Sequence, residues 1–333
     1  MTDTIRDKRT SEAVGSTVEM TIGGRTSILL CPGQGAQALG MGRRWAESSA
    51  AARAVFDEAD AVLGDTLGAP LSRICFDGPV DRIKGTDVSQ PALYTCAVAS
   101  YHGLCEGDWA DDGEPAIGGA AGLSLGEYTA LHLAGAFDFA AGLELVTRRG
   151  ALMQQAAEAS ESGMVALVGA DEALAQKVCE LAAKGDVLVA ANFNAPGQIV
   201  LSGTRAACDR AVDAAPEVGL RAKPLPVAGA FHSPLMQSAA DAMGEALEAA
   251  DIRPPKATVW SNVTGEPHVQ DDLELLRRRL VEQIVMPVRW DQICEAMPTS
   301  DRIEYHELAP GKVLRGLMRR IVRAREVTSH DEP

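Results

Sequence analysis

Gly122-Leu123-Ser124-Leu125-Gly126-Glu127 fits G-x-S-x-G, the pattern that sets a serine on a sharp turn between a strand and a helix. Upstream, Pro115-Ala-Ile-Gly-Gly-Ala-Ala121 is small and apolar, as a buried strand entering a tight turn would be. Downstream, Tyr128-Thr-Ala-Leu-His-Leu-Ala134 reads as a buried helix. The glycines have a physical task there, because so sharp a turn needs unusual backbone angles and close passage of the backbone. The serine would sit at a helix N-terminus, where free N–H groups and the helix dipole favour negative charge. That suits a nucleophile whose reaction develops an oxyanion. A plainer reading also fits: Ser124-x-x-Glu127 is a capping box, which merely starts a helix. The remainder of the chain must decide between them.

The 333 residues suffice for one large domain or two. Aromatic residues are few, and no apolar run reaches the roughly 18 residues of a membrane span. Residues 1–24 are polar and mixed in charge, with the character of neither a secretory signal nor a transit peptide, and read as a tail. The seven cysteines are scattered and form no C-x-x-C pair. That speaks against a disulfide framework or a zinc site and suits a reducing compartment, so the expected location is the cytoplasm. A formal net charge of -15 disfavours nucleic acid as a main partner.

Taken in order, Thr26-Ser-Ile-Leu-Leu-Cys31 is a first strand running into the glycine-rich loop Pro32-Gly33-Gln34-Gly35-Ala36-Gln37. That loop is either a simple turn or a device that brings backbone N–H groups to a ligand; its spacing is not that of a phosphate-binding loop. Helical patterns cover 42–63 and 90–105, the second with a start signal at Asp87-Val-Ser-Gln-Pro91. A further helix carries Arg148 and Arg149; an arginine fork matches a carboxylate, although a solvated face is its commoner fate.

Residues 160–228 change in texture, with the order β-α-β-β-α-β of a ferredoxin-like unit. The expected division is therefore a tail over 1–24, a large subdomain over 25–159 and 229–325, a small inserted subdomain over 160–228, and a second tail over 326–333. The chain returns through Ala230-Phe231-His232-Ser233-Pro234-Leu235-Met236, and a helix over 273–285 carries Gln283 near its end. A last strand, 303–308, precedes a final helix. Val313, Leu314, Leu317, Met318, Ile321 and Val322 give that helix an apolar face, and Lys312, Arg315, Arg319, Arg320 and Arg323 give it basic charge. The charge is a solvated face or a docking surface.

A serine hydroxyl is a weak nucleophile until a base takes its proton. Of six histidines, His132 lies eight residues past Ser124 on one helix, about 12 Å along its axis, too far to pair with it. His330 falls in a tail, His102 in a helix, His268 in a loop, and His306 on an apolar strand. His232 precedes a Ser-Pro turn, a loop setting that suits catalysis; spacing favours it only modestly.

Four segments, Pro32-Gly-Gln-Gly-Ala-Gln37, Gly122-Leu-Ser-Leu-Gly-Glu-Tyr128, Arg149-Gly-Ala-Leu-Met-Gln154 and Ala230-Phe-His-Ser-Pro-Leu-Met236, together resemble the malonyl-CoA:acyl-carrier-protein transacylases. Gln283 ahead of Pro287-Val-Arg-Trp290, and Pro310-Gly-Lys-Val-Leu314, add to the resemblance, which runs from about residue 27 to 325. It implies an α/β fold: an α/β-hydrolase-like large subdomain with an inserted ferredoxin-like small subdomain. It also implies Ser124 as nucleophile, His232 as general base, and the Gln283 backbone carbonyl as the group orienting the imidazole. The backbone N–H groups of Gln34 and Leu125 would form the oxyanion hole. Arg149 would hold the free malonyl carboxylate, and Phe231 would crowd an α-methyl branch. Leu123 departs from the family, which usually has histidine before the serine; that histidine is not the base, so activity is expected to survive.

The implied reaction is ping-pong transfer of malonyl from malonyl-CoA to the phosphopantetheine thiol of acyl carrier protein, in fatty acid synthesis. No metal or cofactor is implied, and neither nucleic acid nor membrane is an expected partner. Carrier proteins of this kind are acidic, so a basic patch, with the C-terminal helix as candidate, is expected to receive one. The rival readings are a discrete acyltransferase of a polyketide pathway, a serine esterase, and a non-catalytic scaffold.

Overall fold

The computed structural model describes residues 26–110 and 116–333. The expected tail over 1–24 lies outside the described residues. The first half runs β1 (Thr26–Cys31), α1 (Arg43–Ser48), α2 (Ala50–Leu63), α3 (Leu71–Asp77), α4 (Val80–Lys84), α5 (Thr86–Glu106), β2 (Ala116–Gly122), α6 (Gly126–Leu133) and α7 (Phe139–Glu158). There follow β3 (Ser162–Ala170), α8 (Glu172–Ala183), β4 (Leu188–Ala195), β5 (Gly197–Thr204), α9 (Arg205–Ala214) and β6 (Arg221–Pro224). The chain ends with α10 (Gln237–Ala249), β7 (Thr258–Val259), α11 (Leu273–Val285), α12 (Trp290–Ala296), β8 (Ile303–Leu308), α13 (Val313–Ile321) and β9 (Val327–His330).

This is an α/β fold with a parallel sheet and covering helices. Among the described residues the large sheet has the order β7-β2-β1-β8-β9, and every neighbouring pair in it is parallel. β1 lies inside this sheet with all six residues buried, as a strand covered on both faces must be. Alternation divides it: Leu29 and Cys31 face the core formed with α2, α5, α6 and α7, while Ile28 and Leu30 face Trp290, Leu314 and Met318. The second sheet, β4-β5-β3-β6, is antiparallel throughout and packs its own core against α8 and α9. Among the described residues no helix is long and apolar enough to cross a membrane.

Several local expectations are corrected. The 42–63 helix is two helices, because Ser49 is extended (φ -131°, ψ 128°) and its hydroxyl caps Ala52 N–H to start α2. α5 begins at Thr86, five residues before Pro91, which sits inside the helix. Pro91 therefore lacks one intrahelical donor but does not mark the start. β7 is short, only Thr258–Val259, because the chain turns away there and Trp260 bridges antiparallel to Pro267.

Residues 326–333 are not a tail, because β9 pairs parallel with β8 from Tyr305↔Val327 to Leu308↔His330. Trp45 Nε1–H donates to the His330 carbonyl at 3.1 Å, and the Asp331 carboxylate accepts from Gly311 N–H at 2.6 Å. A four-residue strand with one paired edge is too short to show a period of two, so its sequence gave no signal.

Candidate active site

Cys31 and Gly122 are register partners at the carboxyl ends of β1 and β2. The loops that follow therefore leave the sheet side by side, at the edge where parallel α/β sheets bind ligands. Their backbones touch. A Cβ on Gly33 would stand 2.1 Å from the Leu123 carbonyl oxygen, and one on Gly126 would stand 2.1 Å from the Cys31 carbonyl oxygen. A Cβ on Gly122 would fall 1.9 Å from the Gly126 carbonyl carbon. No other residue type fits these three places, which is why the turn is rich in glycine.

Ser124 sits at the apex with φ 55°, a left-handed conformation rare for a residue with a Cβ. Its N–H donates to Asn262 Oδ1 at 2.6 Å, and Asn262 Nδ2 donates to the Gly122 carbonyl at 2.8 Å. Asn262 thus clamps the two ends of the turn. The capping-box alternative fails. Neither the Ser124 hydroxyl nor the Glu127 carboxyl caps α6, which has no side-chain cap.

The Ser124 hydroxyl instead lies 2.9 Å from His232 Nε2. His232 also has a positive φ, 57°. Ser233 fixes its loop by donating through Oγ to the Ala230 carbonyl at 2.6 Å. The Gln283 carbonyl at the end of α11 lies 2.7 Å from His232 Nδ1. A carbonyl can only accept, so Nδ1 carries the hydrogen and the neutral ring turns an unprotonated Nε2 to the hydroxyl. Burial, with the Arg149 charge second, pulls the His232 imidazole down to about 4, against the Gln283 bond that favours its protonated form. The ring is therefore a neutral proton acceptor at ordinary pH.

Arg149, on α7, is 1% exposed. Nη1 donates to Gln90 Oε1 at 2.7 Å. Nη2 donates to Gln283 Oε1 at 2.8 Å and to the Ser124 hydroxyl at 3.2 Å. Its Nε has no partner among the described residues, and the guanidinium stands over the Tyr128 ring, 5.5 Å from its centroid. All its hydrogen-bond partners among the described residues are neutral, and burial lowers its affinity for its proton. A buried cation so placed is short of an anion. Arg148, its sequence neighbour, is exposed.

Ser124, His232 and Arg149 open on a cleft of about 200 Å³ that Gln34, Leu125 and Phe231 also line. Among the described residues neither the Gln34 nor the Leu125 N–H has an acceptor. Two unused donors beside a nucleophile are what a developing oxyanion requires. The other wall comes from the small sheet, where Asn192, Asn194, Gln198 and Val200 face α13 residues Val313 and Leu317.

All seven residues expected from the sequence converge here, Gln283 through its bonds to His232 and Arg149. Four supporting residues were missed: Gln90, Glu127, Asn262 and His268. No local sequence signal marks them, since their partners lie far along the chain. His132 Nδ1 pairs with the Phe137 carbonyl at 3.0 Å, a structural role as expected. His306 Nδ1 lies 3.0 Å from His330 Nε2, tying β8 to β9.

The model of the acyl transferase domain family matches residues 28–323. The malonyl CoA-acyl carrier protein transacylase of Bacillus subtilis is 38% identical over 306 residues, 91% of this chain and 93% of that protein. The solved transacylase of the same name from Coxiella burnetii superposes with a TM-score of 0.85 at 35% identity, covering 93% of this chain and 95% of that one. A malonyl-transacylase solved with its type II PKS acyl-carrier protein also gives 0.85 at 35% identity, covering 93% and 97%. Likeness of this extent, carried by sequence and by backbone alike, shows that the chain belongs to the malonyl CoA-acyl carrier protein transacylase family.

Proposed function

We propose that this chain transfers a malonyl group from malonyl-CoA to the phosphopantetheine thiol of acyl carrier protein, supplying fatty acid synthesis. The observation that carries the reading is Arg149: a buried guanidinium with neutral partners only, 3.2 Å from the Ser124 hydroxyl. A thioester held there by its free carboxylate has its carbonyl carbon beside the nucleophile.

The reaction is ping-pong. Ser124 Oγ attacks the thioester carbonyl while His232 Nε2 takes its proton, and the N–H groups of Gln34 and Leu125 receive the oxyanion. Collapse breaks the C–S bond, the imidazolium protonates the departing sulfur, and a malonyl-serine ester remains. The carrier thiol then gives its proton to His232 and attacks the ester. As the second tetrahedral species collapses, the His232 imidazolium returns the proton to Ser124 Oγ and malonyl leaves on sulfur. The Gln283 carbonyl holds the imidazole and stabilises its charge in place of a triad acid. Nucleophile, base and oxyanion donors all come from the chain, so the chemistry calls for no cofactor or metal. Phe231, 6% exposed and next to His232, leaves little room for a branch on the α-carbon.

The finer architecture supports the same reading. The strand order β4-β5-β3-β6, antiparallel across a β-α-β-β-α-β segment, is what a ferredoxin-like insertion over 160–228 requires. A parallel sheet with a nucleophile turn after β2 suits an α/β-hydrolase-like large subdomain over 25–159 and 229–325. The carrier protein would dock on α13, whose Val313 and Leu317 line the cleft. Scattered cysteines with no C-x-x-C pair fit a cytoplasmic setting. A polyketide carrier is the second reading, favoured by the likeness to a transacylase solved with such a carrier.

Intact-protein mass spectrometry after mixing with malonyl-CoA, beside a Ser124→Ala control, tests the proposal. A malonyl adduct on the wild type alone, discharged by holo carrier protein, is the expected result. No adduct, or one lost to water as fast as to carrier, would overturn it in favour of a scaffold or an esterase.

A further inference from the structure

Glu127 is fully buried, three residues beyond the nucleophile on the first turn of α6. Every polar atom of its side chain is engaged. Oε1 accepts from His268 Nε2 at 2.7 Å. Oε2 accepts from Gln283 Nε2 at 2.6 Å and from Asn262 N–H at 3.1 Å.

The Gln283 side chain is in turn held at both ends. Its Nε2 donates to Glu127 and to the Ser124 carbonyl at 2.9 Å, and its Oε1 accepts from Arg149 Nη2 at 2.8 Å. An amide turned the other way would set its NH₂ group against the guanidinium, donor against donor. Glu127 forbids that arrangement, because a carboxylate offers only acceptors to the NH₂ end. The amide also keeps Glu127 one side chain away from Arg149. Direct contact would give Arg149 an internal carboxylate to compete with any carboxylate brought by a ligand. What Arg149 has instead is a pair of amide oxygens, from Gln90 and Gln283, which fix its geometry without cancelling its charge.

We propose that Glu127, anchored by His268, is a positioning residue for acyl selection: it pins the Gln283 amide so that the amide oxygen faces Arg149, leaving the guanidinium oriented yet unneutralised for the carboxylate of the acyl group. The proposal rests on the reading of Arg149 as holder of that carboxylate.

The test is the rate of acyl-Ser124 formation from malonyl-CoA and from acetyl-CoA, followed by intact mass, in the wild type, Glu127→Ala, Glu127→Gln and Gln283→Met. Gln283→Met retains the backbone carbonyl that holds His232 and removes only the amide. Glu127→Ala and Gln283→Met should each lower the malonyl-to-acetyl rate ratio about tenfold, the scale of discrimination lost when a buried polar partner is mispositioned. Glu127→Gln still offers an oxygen to Gln283 Nε2 and an NH₂ group to His268 in its other tautomer, so its ratio should stay within about threefold of wild type.

A Gln283→Met variant that slows both acyl groups equally would overturn the proposal. So would a Glu127→Gln ratio as low as that of Glu127→Ala. Should Glu127→Ala not fold, Gln283→Met set against Glu127→Gln still decides. A wild type that takes no malonyl group would remove the transfer reading and this proposal with it, whereas a normal wild type with unchanged ratios would remove this proposal alone.

Discussion

Ser124 and His232, 108 residues apart, both hold a left-handed backbone, with φ of 55° and 57°, and their side chains meet at 2.9 Å. Two strained residues joined by one hydrogen bond make the centre of this site. A residue with a Cβ in that region carries about 1–2 kcal/mol of strain, and such strain persists where the surroundings over-determine it. Here the three glycine contacts and the Asn262 clamp supply the constraint at Ser124.

The strain at Ser124 can be measured by comparing two inactive variants. Ser124→Gly and Ser124→Ala both lose the hydroxyl and should both lose acyl transfer. They differ in the Cβ that the left-handed backbone resists, so the glycine variant should be the more stable by about 1 kcal/mol. Urea midpoints at matched slopes would show this, and an alanine variant equal to or more stable than the glycine one would refute it.

The pH profile should depart from that of an ordinary histidine base. His232 titrates at about 4, and only its neutral form can take the serine proton. The kcat/KM for malonyl-CoA should therefore hold from neutral pH down to about 5 and fall as pH drops through about 4. Because the Arg149 charge contributes to that low value, Arg149→Ala should move the acid limb upward, toward the ordinary 6.5. A limb at 6.5 in the wild type would contradict the buried, neutral imidazole.

Arg149→Ala should also separate acyl groups. Losing the charged partner of a buried carboxylate costs about 2–5 kcal/mol, or roughly 30-fold to several thousandfold in rate. Malonyl transfer should fall on that scale while acetyl transfer changes by less than about tenfold. Parallel steady-state rates with the two thioesters give the comparison, and equal losses would detach Arg149 from carboxylate recognition.

On α13 and just beyond its two ends, the side chains of Lys312, Arg315, Arg319, Arg320 and Arg323 are exposed, and among the described residues none of them is in an ion pair. Arg320 donates to Gln198 Oε1 at 2.8 Å, reaching a residue on the cleft wall. In a chain of net charge -15, this basic face is suited to an acidic carrier. Reversing Arg319 and Arg323 to glutamate should raise the KM for holo carrier protein about tenfold at low salt, with the gap narrowing near 0.5 M salt as charges are screened. Self-acylation of Ser124 by malonyl-CoA serves as the internal reference. An unchanged carrier KM would place docking elsewhere.

Much of the fold was legible because it rests on local rules. The glycines around Ser124 and the apolar run of β1 each act within a few residues. The helix bearing Gln283 spans Leu273–Val285, the bounds its pattern implies. The start of α5 was misread because Pro91 is tolerated inside a helix whose flanks are buried. The edge strand β9 was missed because its pairing with β8 is tertiary and its four residues carry no pattern.

The sequence by itself determined the strand–turn–helix that carries Ser124, since only glycine tolerates the close approaches of that turn. Through family motifs it also named the partners Ser124 would need. It could not choose His232 on chemical grounds among six histidines, nor foresee that Glu127, Gln283, Arg149, Gln90, Asn262 and His268 form one buried network. Those outcomes belonged to the tertiary structure. Desolvation and hydrogen-bond pairing act across space, and the fold brings Ser124 to groups 108 and 138 positions away in the chain. Burial then turns an ordinary imidazole into a neutral base and an ordinary arginine into a cation that lacks its anion.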